Sequence, residues 1–267
     1  MIATIKAEWR KNRFRPAYLI GTGLIGALTV IAYNVNWYLA THPGNSDRPV
    51  LLSNLYPDHV VAQVMNAGFP LGAAMAIVVG AIIAGSEYSW STQKTMLTQG
   101  PGRLTIWAGK VFVFTVWMGL ATLVLFALGT ASSAIVAIFE NHAIVWPAVD
   151  DIFKGMGAIW LVFAANGALG LALGVFIRQS AAALGLGLVY LLSIEVIAVR
   201  FIDGLNNGAY KTVGNLFVDQ NAVALLQSFA PHGTIATSAG QAVTVLFAYV
   251  AVLVVIAAGL TRLRDVT

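Results

Sequence analysis

Six long apolar runs govern what this chain of 267 residues can fold into. They cover about Ala17 to Trp37, Gly68 to Ala84, Ile106 to Ile138, Met156 to Ile177, Ala181 to Val199 and Ala242 to Leu260, and a helix crossing a bilayer needs roughly 20 apolar residues. Hydrophobic residues make up 58% of the chain and charged ones 10%, against roughly 45 to 50% and about 25% in soluble domains. A water-soluble core cannot absorb that much apolar surface. The expected fold is therefore an all-α integral membrane protein, with six transmembrane helices forming one domain over residues 1–267. The third run exceeds one crossing, which predicts a tilted helix or one that ends in an extramembrane turn.

An even number of spans puts both termini on one side. Lys6, Arg10, Lys11, Arg13, Arg15, Lys94, Arg103, Lys110, Arg178, Arg262 and Arg264 fall on that side, whereas Arg48, Lys154, Arg200 and Lys211 fall opposite. Lys and Arg are retained in the cytoplasm, so both termini are expected to be cytoplasmic in a multi-pass protein of the cytoplasmic membrane. On this topology Ser46, Ser133 and Asn207 lie outside, and Gln93 and Thr267 inside. The net charge of +4 acts through this distribution and is not a nucleic-acid signal. Zero cysteines remove disulfides, thiolate catalysis and Cys-ligated metals.

The basic start has a helical pattern of its own. Ile2, Ile5 and Trp9 recur at spacings of three and four, opposite Lys6, Arg10 and Arg13. Residues 1–15 thus read as an amphipathic interfacial helix with its cations against anionic lipid. A cleaved signal peptide is the alternative, but the first apolar run is longer than the 7 to 15 residues of a signal core. Between the fifth and sixth runs, residues 200–238 are too apolar for a free loop and too polar for two crossings. Ala222, Leu225, Leu226 and Phe229 share one helical face, and Gly204, Gly208, Gly214 and Pro231 punctuate the segment. Outer helices half-sunk in the membrane surface fit this, with an ordinary loop bearing one surface helix as the alternative.

A search for catalytic chemistry returns negatives. The only Gly-Lys pair, Gly109-Lys110, has Leu104 where a phosphate-cradling loop needs its first glycine and Val111 where it needs a hydroxyl. His42, His59, His142 and His232 sit singly in loops, without metal-ligand spacing. One acid falls within a span: Glu195, in the fifth. Such a residue faces a cavity or a partner by default, so Glu195 is either a pathway group or a structural one, paired with Arg200 or snorkelling to the interface. Asn166 in the fourth span is expected to make an interhelical hydrogen bond. Gly170 and Gly174, like Ala81 and Gly85, have the spacing of packing seams.

The polar island between the second and third runs carries the strongest functional signal. Ser89, Ser91 or Thr92 can cap a short helix, Met96 and Leu97 offer apolar knobs, and Gly100-Pro101-Gly102 ends it. Glu87 stands where the second span leaves the bilayer, within reach of a cation such as Arg103 or Lys94. A solvated loop without a partner is the plainer reading.

Those residues, with six spans and an amphipathic lead-in, make the chain resemble the permease subunit of a type 2, export-type ABC transporter. In the antibiotic-export and immunity branch, a Glu ends span two, followed by Gly-Thr, a Leu-rich turn, Pro-Ser-Arg and a Lys entering span three. Here Glu87 matches the Glu, Ser91-Thr92 stands for Gly-Thr, Met96-Leu97 for the apolar pair, Pro101-Gly102-Arg103 for Pro-Ser-Arg, and Lys110 for the Lys. Ser91 and Gly102 depart from the pattern. The resemblance implies that residues 86–105 form a cytoplasmic coupling segment on which separate ABC ATPase subunits dock. It also implies a second permease copy or a paralogue beside this one, in a bacterial membrane. The chain itself would be a non-catalytic subunit without a cofactor, ATP and Mg being bound by the partner ATPase. Membrane lipids, and no nucleic acid, complete its expected partners. An apolar cavity between two copies would suit an amphipathic or hydrophobic substrate such as a drug, peptide or lipid. A secondary transporter or channel is the second reading and a membrane-embedded enzyme the third.

Overall fold

The computed structural model describes residues 1–42, 48–89, 102–205, 211–230 and 237–263. All regular structure among them is helical. The helices of eight or more residues are α1 (Ile2–Asn12), α2 (Pro16–Thr41), α3 (Arg48–Leu55), α4 (Val60–Ser89), α5 (Arg103–Phe139), α6 (Val149–Ile177), α7 (Ser180–Gly204), α8 (Val218–Gln227) and α9 (Ala239–Leu263). Six of these, α2, α4, α5, α6, α7 and α9, are long and apolar enough to cross a membrane. They correspond one for one to the six runs in the sequence.

The ends differ from the hydropathy pattern where polar residues continue a helix. α4 begins eight residues before Gly68 because Gln63 and Asn66 lower hydropathy without breaking the backbone, and Pro70 sits inside the helix. The third run is one unbroken helix as far as Phe139, with no terminal turn taken from it. Ser133, expected outside, is fully buried and donates from Oγ to the Leu55 carbonyl at 2.8 Å. Ser46, Gln93, Asn207 and Thr267 lie outside the described residues.

The bundle is built around α4 and α6, the two most enclosed spans, whereas α9 is the least enclosed. Their contact is close because small residues face one another. A Cβ added to Gly170 would strike the Ile77 backbone, and one on Gly80 the Gly167 carbonyl. One on Gly174 would lie 2.8 Å from Ala84 Cβ and 3.0 Å from the Ala81 carbonyl oxygen. The two small-residue pairs marked in the sequence therefore belong to a single seam. Without a hydrophobic drive between helices in lipid, such close backbone approach maximises dispersion contact. Arg178 then ends α6 with a left-handed backbone (φ 59) whose N–H reaches the Gly174 carbonyl, a helix stop that reverses the chain. α7 starts two residues later, with Ser180 packed against Gly85.

At the end away from α1, Trp37 Nε1 donates to Glu140 at 2.8 Å and Tyr56 stacks on His142 with centroids 3.8 Å apart. These contacts close α2, α3 and α5 together. In the segment before the last span, α8 buries Ala222, Leu225 and Leu226 as its spacing requires, and Phe229 is half-buried. Gly208 and Pro231 are outside the described residues.

Candidate functional site

The site forms where α4 ends. Glu87 is 1% exposed, on the last turn of α4. Its Oε2 accepts from Lys110 Nζ, two turns into α5, and its Oε1 accepts from Lys11 Nζ of α1. Lys11 also donates to Glu8 at 2.9 Å, and Asn12 Nδ2 donates to the same carboxylate at 3.2 Å. At the neighbouring residue of α4, Arg15 Nη1 donates to Ser86 Oγ at 3.1 Å. Two ammonium groups and two carboxylates thus alternate along a chain with no net charge, in which Glu8, Glu87 and Lys110 are buried and Lys11 is half-buried.

Each member is placed by its helix. Glu8, Lys11 and Asn12 occur at i, i+3 and i+4 and so share one face of α1. That face docks on α5, where Gly109 leaves space for Thr4 and Glu8. Trp9 meets Trp117 with ring centroids 5.8 Å apart, and Tyr18 packs edge-on to Trp117 at 4.7 Å. α1 is therefore fastened to the bundle through Glu8, Lys11 and Asn12 together with Trp9, while Lys6, Arg10 and Arg13 stay exposed. Ile2 remains 73% exposed. On the other flank of the site, the Arg178 guanidinium lies 5.7 Å from the Tyr88 ring centroid. The end of α4 is consequently attached to α1, α2, α5 and the α6–α7 turn together. Breaking one member of a buried pair leaves a charge uncompensated at a cost of about 3 to 5 kcal/mol.

Glu87, Arg103 and Lys110 of the expected coupling residues are described; Ser91, Thr92, Met96, Leu97 and Pro101 lie outside the described residues, as does Lys94. Arg103, anticipated beside Glu87, donates instead to the Arg262 carbonyl at 3.4 Å and joins the start of α5 to the end of α9. Lys110 takes the place beside Glu87. Sequence reasoning missed Glu8 and Lys11 as members of the site. A signal existed: Glu8 is the only acid before Asp47, and it stands three residues before a lysine in a helix otherwise basic.

Glu195 has a different neighbour from the expected one. It is buried directly after a π-helical turn, Tyr190–Ile194, and accepts the backbone N–H of Asp219 at the start of α8. Arg200 is exposed and does not pair with it. The carboxylate therefore caps the N-terminus of α8, where helix dipole and unpaired N–H groups favour an anion. Burial in turn pushes the Asp219 carboxyl above its ordinary range. Asn166 is buried, but its Nδ2 donates to Val162 O at 3.0 Å within α6 rather than across to another helix. Among the described residues, no group of His, Asp or Glu is arranged to hold a metal ion.

Residues 46–267 match the model of a protein family of unknown function, DUF2705. None of the curated proteins matches the chain.

Proposed function

For a chain that belongs to the DUF2705 family, we propose the role of transmembrane permease subunit in an ATP-driven exporter of the type 2 ABC kind. Its termini and residues 86–105 face the cytoplasm of a bacterial cell. Separate ATPase subunits bind ATP and Mg and dock on that segment. A second permease copy or a paralogue completes the membrane unit, which moves an amphipathic or hydrophobic substrate.

The observation that supports this reading best is the attachment of Glu87 to Lys11 and Lys110. Residues 90–101 follow this knot in the sequence. A push on them is delivered to a point tied to three helices, and α4 carries it into the seam with α6. A solvated loop needs no such anchorage, since loops ordinarily join helices through exposed and replaceable polar groups. The basic residues clustered at this end agree with a cytoplasmic location.

The test is affinity purification of the chain from its native membranes in mild detergent, in wild type and in a Leu97→Asp variant. The wild-type chain is expected to bring an ATPase subunit at stoichiometric yield and the variant to lose most of it while still inserting. ATP hydrolysis by the purified chain alone, or equal recovery of the ATPase with Leu97→Asp, overturns the proposal.

A further inference from the structure

At the end of the bundle opposite α1, a cleft of about 470 Å³ opens between α2, α3 and α4. Four carboxamides line it: Asn36, Asn54, Gln63 and Asn66. Asn36 uses its Nδ2 on the Ala32 carbonyl at 2.8 Å, which leaves its Oδ1 to accept. Asn54, Gln63 and Asn66 make no side-chain hydrogen bond among the described residues. Pro70 also lines the cleft, and having no N–H it withholds the helical hydrogen bond that the Asn66 carbonyl would accept. Donors and acceptors therefore converge on one hollow, and among the described residues no charged side chain lines it.

The depth of the cleft sharpens its chemistry. Asn66 stands about 30 Å from Glu87 along α4 at 1.5 Å per residue, which is the hydrocarbon thickness of a bilayer. The amides therefore lie at the boundary between hydrocarbon and headgroups, and the cleft continues past them to Ala67 and Leu71 on the hydrocarbon side. Asn54 and Asn66 are exposed and Asn36 and Gln63 half-buried, so the amides stand open to the polar head of a molecule entering the cleft.

We infer that this cleft is a binding site for a single amphiphile with an uncharged, hydroxyl- or amide-bearing head and an apolar tail, taken from the leaflet opposite α1. The head meets the four carboxamides and the Asn66 carbonyl, and the tail runs along Ala67 and Leu71. A charged head meets no counter-ion among the described residues and is disfavoured. The inference does not require the exporter reading, because the cleft lies at the other end of the bundle from the Glu87 site.

The probe is a dodecyl maltoside bearing a diazirine in its alkyl chain, added to the protein in phosphatidylcholine nanodiscs, with cross-linked peptides mapped by mass spectrometry. Labelling is expected to saturate at one per chain on peptides of α2, α3 and α4. Unlabelled dodecyl maltoside should compete, and dodecyl sulfate at equal concentration should not. A Gln63→Leu, Asn66→Leu double variant should bind about tenfold more weakly, the loss expected for about two neutral hydrogen bonds. Should that variant misfold, saturation and head-group selectivity in the wild type decide the matter alone. Doping the nanodiscs with a glycosyl diacylglycerol, a bilayer lipid with an uncharged hydroxyl-bearing head, separates two sources of the same chemistry: competition by that lipid assigns the site to a resident membrane lipid, and undiminished labelling to an amphiphile foreign to the bilayer. Either supports the site. Unsaturable labelling spread over the lipid-facing spans overturns it. So does an Asn66→Cys variant that forms a disulfide-linked dimer and excludes the probe, because a second copy then fills the cleft.

Discussion

Lys110 and Glu87 form a buried ion pair between α4 and α5, and Lys11 from α1 shares the same carboxylate. Because Glu87 serves two cations, its removal is not equivalent to removal of either lysine.

Glu87→Ala should be the most damaging single change at this site. It strands Lys110, which is 5% exposed, and should lower stability by about 3 to 5 kcal/mol. A Glu87→Ala, Lys110→Met double variant removes both charges and should recover most of that loss, since apolar replacement of a whole buried pair is often neutral. Thermal melting in detergent checks the order. Recovery of stability without recovery of transport would separate the anchoring role from the packing role.

The α4–α6 seam predicts a sharp contrast among glycines. Gly170→Ala places a methyl group against the Ile77 backbone, which cannot yield as a side chain can, and overpacking of this kind costs about 1 to 3 kcal/mol. Gly157→Ala in the same helix meets nothing within 4 Å and should leave the melting temperature unchanged or raise it slightly, since alanine favours a helix over glycine. Equal effects at the two positions would show that the seam is not close-packed.

Orientation is testable with single cysteines, since the chain contains none of its own. Ala143 and Ala7 are both exposed, at opposite ends of the bundle. Ala143→Cys should react with a membrane-impermeant maleimide from outside intact cells and Ala7→Cys only after permeabilisation. Labelling of Ala7→Cys in intact cells would reverse the proposed topology.

Glu195→Gln keeps an oxygen acceptor for the Asp219 N–H, whereas Glu195→Ala removes it. Loss of an N-terminal cap costs about 0.5 to 2 kcal/mol. Amide hydrogen exchange in α8 should rise severalfold in Glu195→Ala and much less in Glu195→Gln. If both variants exchange alike, the carboxylate does not hold α8.

Six spans were legible because hydropathy is summed locally: each run of about 20 residues declares itself whatever its neighbours do. The small-residue spacing of Gly170 and Gly174 was legible for the same reason, as was the face of Ala222, Leu225 and Leu226. Glu87 and Lys110 could be singled out, but their pairing with Lys11 could not, because a partner 76 residues away along the chain is chosen by how α1 docks on α5. The same holds for Glu195, which meets the Asp219 N–H instead of the nearby Arg200, and for Ser133, buried under Leu55. Local composition fixes which segments enter an apolar medium, whereas a polar side chain goes to whichever donor or acceptor the assembled helices bring within about 3 Å. Only the tertiary structure decides that, since the energy of an unpaired polar group depends on its final surroundings and not on its sequence neighbours.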